Sequence, residues 1–576
     1  MAKADIKELR ERFNALREAR QPFVSEWRNL RDYIAPDCGQ FDVSEKRPDD
    51  RWEKILDPSA SDAADVLAAG MLGGMTSPAR PWFQLSTSSP ELDEMVDEFS
   101  DAVKELKVDN ILAFLELALA IKQWLSDVTT SMQMIFARSN LYESLHSLYY
   151  ELGVFGTGCI VVEPSPEKVV QFHLLTIGEY YIATNHEGRV DTLYREVFMT
   201  AQQMVDKFGY DKVSNAVRKA YDGNRRQQGF KVIHAIEPRT LRDDEKIDQE
   251  NMPWRSVYFE YSADAPHQGL LLEEGFNHFP GLCPRWKVRG RNVYGFGPGA
   301  KALPTVRSLQ GETLDKSYGV GYQTRPPLLV PAILQDQGAD WAPGGIVYVN
   351  GPSAEKQVTQ AINASFNLEH VRADIADARS QINEFFFKDL FLMIAGTQRY
   401  GRTAFEVEKL EKEKMMLLGP VLESLHTDLL NPLIDVTFDI MVANGLVPPA
   451  PETLAGMDLS VSYVSILAQA QKAVGVDASD RFINTIGAVN QAFPNANVAD
   501  ILDADKLARK YADQLGVDPS LLRTDEQIEA IRGERVAQQQ AMQQMAQAQQ
   551  MASVAKDMSQ VQQDSGTGML QALQGY

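Results

Sequence analysis

The chain has 576 residues, of which 44% are apolar, and its formal net charge at pH 7 is −22. This length allows two to four domains with a large core, whereas the acidic balance argues against a protein that holds nucleic acid by neutralising phosphates across a whole domain. The three cysteines, Cys38, Cys159 and Cys283, lie far apart in sequence, which excludes a disulfide framework and a CxxC zinc site and is typical of small buried residues in a reducing compartment.

The first half of the chain is predicted to be a mixed α/β body. Two helices over residues 5–34 are expected to be separated by Pro22, because proline lacks the N–H that a helix interior requires. Gly156-Thr157-Gly158 is expected to form a tight turn before a buried strand. Periodicity and turn residues predict a helix at 57–74, a turn into a strand at 78–86, mostly helix at 92–151, a strand within 153–164, and alternating strands and helices at 165–290.

No segment has the features of a membrane span. Residues 1–20 are charged and amphipathic, unlike a secretory signal. The most apolar window, 111–125, contains Glu116 and Lys122 and is too short to cross a bilayer. We therefore expect a soluble protein, or a soluble part of an assembly, without a membrane partner.

The second half is predicted to contain two long helices with a small insertion between them. Pro298 suits a first helical turn, and this helix is expected to run to about Tyr318. Prolines, glycines and short β runs in 325–352 indicate a compact insertion of strands and turns. The second helix, 366–392, has one apolar seam at spacings of three and four residues. The seam consists of Leu368, Val371, Ile375, Ala378, Ile382 and Phe385.

A basic loop, GTQRYG, separates the second helix from a third one. Thr403 and Glu406 form a capping box that fixes the start of the third helix. Arg399 and Arg402 are able to contact phosphates, and Tyr400 offers a flat ring and a hydroxyl group. The third helix is expected to continue through a kink near Gly419-Pro420, followed by further helices at 463–530 and a low-complexity tail at 536–576.

Motifs of catalytic chemistry do not occur in the sequence. There is no GxxxxGK[ST], HExxH or GxSxG. The GFGPG run at 295–299 lacks the spacing of a dinucleotide-binding loop and is interpreted as a turn before a helix. Asp49, Asp50 and Glu53 are residue types of metal-dependent nucleases, but a charge run of this kind usually forms a solvated face. We therefore predict no catalytic residue, no metal and no cofactor.

Four segments together resemble the portal, or head-to-tail connector, proteins of short-tailed bacteriophages. The resemblance covers nearly the whole chain and depends on the joint order of these segments. They are LAAGM and SPARPWF between Asp62 and Phe83, LYESLHSLYYELGVFGTGCIVVE at 141–163, RWKVRGRNVYGFGPGAKALP at 285–304, and RTAFEVEKLEKEKMMLLGP at 402–420.

The resemblance implies an α+β, mainly helical portal fold with wing, stem, clip and crown regions. Typically twelve such subunits assemble as a ring with a central channel. The implied segments are a wing or body at 1–295, a stem helix at 296–322, the clip at 323–362, a second stem helix at 363–390, the tunnel loop at 391–403, a helix returning to the wing at 404–450, a helical crown at 451–535, and a Gln- and Met-rich tail at 536–576.

The resemblance also implies partners and site residues. Double-stranded DNA would pass through the channel without sequence specificity and without ATP hydrolysis by the ring. The ring would bind the terminase large subunit and later the tail adaptor protein, would contact the major capsid and scaffolding proteins, and would occupy the portal vertex of the virion after assembly in the host cytoplasm. The implied residues are Gln398, Arg399, Tyr400 and Arg402 at the DNA, Gly396 and Gly401 as loop hinges, Thr403 and Glu406 as the cap, and Leu368, Val371, Ile375, Ile382 and Phe385 in stem packing.

Three alternatives remain open at this stage. One is another head–tail or tail component, although adaptors are usually much shorter and scaffolding proteins more uniformly helical. A second is a metal-dependent enzyme that acts on nucleic acid, which would need clustered carboxylates or histidines. A third is a soluble α/β enzyme, for which the sequence offers no recognisable site.

Overall fold

The computed structural model describes most of the first 465 residues. The described ranges are 5–41, 54–87, 108–243, 248–261, 269–331, 340–349, 359–360, 368–394, 418–451 and 459–465, with isolated positions beyond them. The chain divides into two compact units, residues 1–474 and 475–576. All elements named below belong to the first unit.

The described elements alternate between helices and short strands. The helices are α1 Ile6–Tyr33, α2 Ser59–Met75, α3 Val108–Arg138, α4 Leu141–Phe155, α5 Ala201–Phe208, α6 Asn215–Asp222, α7 Pro298–Thr324, α8 Leu368–Phe385, α9 Lys388–Ile394 and α10 Asn431–Ala443. A helical segment at 418–425 passes through a π-helical turn, His426–Leu430, into α10. The strands are β1 Phe83–Thr87, β2 Cys159–Ser165, β3 Val169–Leu175, β4 Tyr180–Thr184, β5 Val190–Thr200, β6 Gly229–Pro238, β7 Trp254–Glu260, β8 Leu270–Phe276, β9 Gly281–Leu282, β10 Leu328–Pro331, β11 Ile346–Val349, β12 Thr359–Gln360 and β13 Leu459–Tyr463.

The largest sheet is an antiparallel meander in the order β4-β5-β6-β7-β8. It is covered on both faces, as the alternation along β7 shows. Val257 and Phe259 pack with the first half of α1, whereas Tyr258 between them packs with α5 and α6. A smaller antiparallel sheet, β3-β2-β9, connects this meander to the main helical core.

Helix α1 is continuous through Pro22, so the prediction of two separate helices is wrong. Proline removes one hydrogen bond of the helix, but packing on both sides of it outweighs this loss. Phe13 packs on the five-stranded sheet and Trp27 packs in the main core. Between them, the buried Arg20 guanidinium donates to the carbonyl oxygen of Tyr180 at 2.9 Å. Contacts with distant elements therefore override the local preference.

The predicted helix over 366–392 is interrupted at Phe387, which has φ of 55°. The interruption separates α8 from α9 and turns α9 toward α2. In this direction the neighbouring side chains of Leu390 and Phe391 are both buried in the main core. Burial of two large adjacent side chains outweighs the strain of a left-handed residue, which costs of order 1–3 kcal/mol.

Helix α4 carries an acidic side chain into the core. Glu151 is 3% exposed, and its Oε2 accepts a hydrogen bond from the backbone N–H of Ile177 at 3.0 Å. Burial raises the pKa of Glu151 to about 8, and the hydrogen bonds from Thr176 and Ile177 offset this only in part. The carboxyl group is therefore mostly protonated in the folded protein at neutral pH.

We expect the protein to lose stability as the pH rises from about 5 to about 8. The pKa of Glu151 in the folded state lies above its ordinary value of 4.5, so the folded state binds this proton more tightly than the unfolded chain. The resulting stabilisation is complete below pH 4.5 and is lost as the pH rises through about 8. Glu151→Gln keeps an acceptor for Ile177 but does not titrate, and at pH 8 it should be more stable than the wild type by on the order of a few kcal/mol.

Thermal unfolding at pH 5 and pH 8 measures this difference. Glu143→Gln is the matched control, because Glu143 lies on the same helix but is exposed. The control should keep the pH dependence of the wild type. Identical pH profiles for the wild type and the Glu151 variant would contradict the assignment.

Candidate functional site

Helices α7 and α8 pack side by side in opposite directions. Near the start of α7, the Lys301 ammonium lies 4.6 Å from the ring centre of Phe385, at the end of α8. Farther along α7, burial and the charge of Asp374, which lies earlier in α8, raise the pKa of Glu312. The predicted helix at 298–318 is thus present and extends to Thr324. The insertion connects the two helices at the end remote from Lys301.

The apolar seam of α8 faces the body of the protein. Val371 and Phe385 are half-buried against the main core. Leu368 begins the helix, but its side chain lies outside the described residues. The fully buried members of the seam are Ile375, Ala378 and Ile382.

The second half of α7 extends past the body. Gln310 is the last buried residue of this helix. Beyond it, Leu314, Tyr318 and Val320 are 43%, 51% and 37% exposed. One subunit therefore leaves large apolar side chains uncovered along a projecting helix, which is a feature of protein–protein contact surfaces.

A buried aspartate joins both long helices to α2. The Oδ2 of Asp57 accepts from Arg379 of α8 at 2.7 and 2.9 Å, and its Oδ1 accepts from the backbone N–H of Ser59 at 3.0 Å. Gln310 of α7 accepts from the N–H of Asp57 and donates to its carbonyl oxygen. Burial alone would raise the pKa of Asp57, but the bonds from Ser59 and Arg379 more than offset it and lower this pKa.

The start of α7 packs directly against the end of α4, and glycines in both segments allow this close approach. Gly156 caps α4 with φ of +81°. A Cβ at this position would lie 2.4 Å from the backbone N of Gly297 and 2.6 Å from the carbonyl O of Gly295. Gly156 thus forms the predicted turn, and GFGPG is the turn before a helix that its spacing indicates. The close approach of the two glycine segments was not predicted, because it joins residues about 140 positions apart.

The insertion between α7 and α8 contains a small mixed sheet. β10 pairs with β11 in parallel and with β12 in antiparallel orientation. This arrangement matches the strands and turns that the sequence predicts at 325–352. Residues 332–339, 350–358 and 361–367 lie outside the described part of the insertion.

A cleft of about 1050 Å³ lies where α7, the end of α8 and the segment 418–425 meet the loop at 285–297. Its lining mixes cations such as Lys287 and Arg289 with carboxylates such as Glu384 and Asp428. The Arg285 guanidinium lies 3.3 Å from Asp428 Oδ2 and crosses one edge of the cleft. A lining of mixed charge is better suited to protein side chains than to a phosphate backbone.

The predicted tunnel-loop residues lie outside the described part of the chain. They are Gly396, Gln398, Arg399, Tyr400, Gly401, Arg402, Thr403 and Glu406. The flanking residues are well fixed, since Leu390 and Phe391 before this segment and Leu418 and Leu422 after it are all buried in the main core. The candidate nuclease residues Asp49, Asp50 and Glu53 also lie outside the described ranges.

A cluster of residue types that often act in catalysis lies between the five-stranded sheet and the β3-β2-β9 sheet. Arg195 donates to His234 Nδ1 at 2.9 Å and to Glu163 Oε1 at 2.6 Å, and His234 Nε2 lies 2.8 Å from Ser256 Oγ. Burial and the charge of Arg195 lower the pKa of His234, so its imidazole is neutral. These groups satisfy one another inside the protein, which indicates a structural role in joining β2, β5, β6 and β7.

The described residues contain no cluster of metal ligands: no group of three or more His, Cys, Asp or Glu side chains among them is placed to hold a metal ion. None of the helices in the described ranges is both long and apolar enough to cross a membrane.

Comparison with known proteins identifies the family. Residues 6–522 match the family described as bacteriophage head to tail connecting protein. The chain is 43% identical over 569 residues to a probable portal protein of Bordetella phage BPP-1, covering 98% of both chains. It is 37% identical over 564 residues to a portal protein of Salmonella phage epsilon15, covering 98% of this chain and 97% of that one.

Among solved structures, the chain aligns with one from the neck of an empty gene transfer agent particle. The alignment has 10% identity and a TM-score of 0.28, and covers 79% of this chain and 93% of that chain. A score this low carries no argument about the fold. The sequence relationships over nearly the full length are sufficient by themselves: the chain belongs to the bacteriophage head to tail connecting protein family.

Proposed function

We propose that this chain is a portal protein, which forms a ring at one vertex of a phage head. The observation that carries the proposal is the match to two portal proteins over at least 97% of every chain involved. The channel of the ring serves for packaging and ejection of the genome, and proteins of this family are structural connectors rather than enzymes.

In this proposal, the described elements correspond to the regions of a portal subunit. The body before 296, with its five-stranded sheet, is the wing. Helices α7 and α8 form the stem, and the insertion with β10, β11 and β12 is the clip. The run from 418 through α10 returns to the wing, and residues 451–535 form the crown. The projecting half of α7 supports this assignment, because a stem must extend from the body to reach its neighbours.

A ring of twelve identical subunits explains the uncovered apolar side chains of α7. In a closed ring each subunit uses two unlike faces, so that one face of the stem meets the other face of its neighbour. Leu314, Tyr318 and Val320 supply an apolar face. Exposed charged residues of α8, such as Arg372 and Asp377, supply a polar surface next to it.

In this proposal, the tunnel loop of each subunit contacts DNA in the channel. Arg399 and Arg402 meet phosphates, Tyr400 and Gln398 add polar contacts, and no base is read. The net charge of −22 fits this arrangement, since an acidic wall with a few cations lets DNA slide instead of holding it tightly. Gly396 and Gly401 give the loop its freedom, while Thr403 and Glu406 fix its end.

The remaining partners follow from the position of the ring. The clip binds the terminase large subunit during packaging and the tail adaptor protein afterwards. The body contacts major capsid and scaffolding proteins, and the ring starts shell assembly in the host cytoplasm before it becomes part of the virion. The mixed charges of the cleft near α7 support protein partners on this side of the body.

We expect the purified chain to form rings. Twelve copies of the 64.3 kDa chain give a mass of about 0.77 MDa by native mass spectrometry, with a central hole in negative-stain averages. The double variant Leu314→Asp, Tyr318→Asp should shift the protein to monomers, because it places two charges in the proposed contact. Leu241→Asp is the control, since Leu241 is 81% exposed in a loop of the body and should not affect ring formation. A wild-type protein that stays monomeric at high concentration would contradict the proposal.

We expect the tunnel loop to be needed for retention of DNA but not for assembly. Particles built with Arg399→Ala, Arg402→Ala should contain normal rings, yet the fraction of DNA-filled heads should fall by roughly tenfold, because up to two phosphate contacts per subunit are lost. Electron microscopy of the particles measures filled and empty heads. Arg225→Ala, Arg226→Ala, in an exposed turn of the wing, is the matched control. An unchanged filled fraction would exclude a role of these arginines in the channel.

A further inference from the structure

Two of the three cysteines lie side by side in the core, although 124 positions separate them in sequence. The Sγ atoms of Cys159 and Cys283 are 3.3 Å apart. Cys159 begins β2, and Cys283 directly follows β9, which is hydrogen-bonded to β2 through the pair Ile160 and Leu282. Both are buried free thiols, as their spacing in the sequence indicates, but the sequence does not show that they lie together. Cross-strand neighbours at this distance need little backbone movement to form a disulfide.

Both thiols are buried, with Cys159 0% and Cys283 2% exposed, but they differ in the space beside them. Cys283 lines a cavity of about 230 Å³ between β9 and the turn 426–430, together with Arg189, His278 and Asp428. Cys159 is completely buried, and burial raises the pKa of its thiol well above the ordinary value. A water molecule occupies about 30 Å³ in the liquid, so a cavity of this size has room for a small oxidant such as hydrogen peroxide. Of this pair, Cys283 is thus the thiol that a peroxide in the cavity meets first.

We propose that Cys283 and Cys159 form a peroxide-reactive pair that closes a disulfide across the β3-β2-β9 sheet. The Cys283 sulfur attacks one peroxide oxygen, the O–O bond breaks, and the departing hydroxide takes the thiol proton as water. This leaves a sulfenic acid on Cys283. The Cys159 sulfur then attacks the Cys283 sulfur, and its proton leaves with the displaced hydroxide as a second water. Two thiols are oxidised to one disulfide, and one peroxide is reduced to two waters.

The disulfide would close a long loop of the chain. The strands β3 to β8 all lie between Cys159, where the chain enters the β3-β2-β9 sheet, and Cys283, which directly follows the last strand of that sheet, so the bond encloses the whole five-stranded meander. A link that closes a loop of this length strongly reduces the number of conformations open to the unfolded chain, and this raises the melting temperature. A reducing cytosol keeps the pair as thiols, whereas an oxidising medium outside a cell does not oppose the bond. The proposal is independent of the ring, because it concerns one subunit.

The test uses the full-length native protein and hydrogen peroxide. After exposure, the protein is denatured, free thiols are alkylated, and peptides are analysed by mass spectrometry. We expect the thiol count to fall from three to one, with Cys159 linked to Cys283 and Cys38 still a reduced thiol, and the oxidised protein should melt several degrees higher until dithiothreitol reverses both changes. Three remaining thiols, or a link that involves Cys38, would overturn the proposal.

Two variants test the order of events. In Cys159→Ala, the sulfenic acid on Cys283 has no partner and should be trapped by dimedone. In Cys283→Ala, Cys159 should remain an unmodified thiol under the same native conditions. Cys38→Ala is the matched control and should form the disulfide at the wild-type rate. Dimedone labelling of Cys159 in the second variant would overturn the proposed role of the cavity, and a link that forms only after denaturation would overturn the pair itself.

Discussion

Replacing Gly156 by alanine should lower the free energy of unfolding by at least about 3 kcal/mol. Part of this loss, about 1–2 kcal/mol, is the strain of a Cβ at φ of +81°. The larger part arises because the new Cβ would meet backbone atoms of Gly295 and Gly297 at 2.6 and 2.4 Å. Backbone atoms cannot rotate away as a side chain does, so the segment before α7 must move. The substitution therefore displaces the start of α7.

Thermal unfolding of the variant and a matched glycine variant separates these two contributions. Gly445 also follows a helix, α10, and has φ of +67°, but no atom lies within 4 Å of its position for a Cβ. Gly445→Ala should cost only about 1 kcal/mol, which is the strain alone. Equal losses for the two variants would show that the contact with Gly295 and Gly297 contributes nothing. We also expect Gly156→Ala to reduce ring formation, since α7 carries the proposed contact.

Asp57→Asn should lower the stability by about 2–4 kcal/mol at pH 7. The Asp57 side chain is 1% exposed, and the amide would point an N–H group at the guanidinium of Arg379 in place of an acceptor. The loss is smaller than for a fully buried pair, because the Arg379 side chain is 51% exposed and water can hydrate it. This ion pair and Gln310 hold α2, α7 and α8 together, so its loss should also loosen the packing of α7 and α8.

The lowered pKa of Asp57 predicts how its contribution to stability changes with pH. The pKa of Asp57 is lowered from 3.8 in the folded protein, so its contribution is present above pH 3.8 and is lost as the pH falls through the lowered pKa. Chemical unfolding at pH 7 and near pH 3 should show the difference between wild type and variant shrinking at the lower pH. Lys54→Ala removes a neighbouring ion pair with Asp32 whose lysine is 62% exposed, and it should cost less than about 1 kcal/mol. A loss for Asp57→Asn as small as that of Lys54→Ala would contradict the assigned role.

Local patterns predicted the two long helices α7 and α8. Pro298 marks the start of α7, as its fixed φ and missing N–H suggest. The spacing of the apolar seam predicted the face of α8 that packs against the core, with Ile375 and Ile382 both buried. These predictions succeed because capping and periodicity are properties of consecutive residues. Two predictions about helix continuity were wrong, at Pro22 in α1 and at Phe387 after α8. At both positions, packing against distant elements outweighs the local signal.

The network around Asp57 could not be predicted, because Gln310 and Arg379 both lie more than 250 positions from Asp57 in sequence. Nothing in the residues near Asp57 indicates that Gln310 and Arg379 will meet it. The contact between Gly156 and Gly297 and the pair Cys159 and Cys283 are of the same kind. The only local trace is a high density of glycines at 153–158 and 295–299, which indicates close backbone approach but does not name the partner. Contacts of this kind depend on how distant segments come together, and local sequence patterns do not reveal this.

The β3-β2-β9 sheet has a consequence for how such chains diversify. The five-stranded meander leaves this sheet after β3 and returns to it at β9, and both strands are hydrogen-bonded to the same strand, β2. A segment whose two ends lie so close together can grow, shrink or be exchanged by recombination without changing the distance that the rest of the chain must span. The meander is thus the part of the molecule in which related phages can acquire different surfaces while they keep the same helical framework.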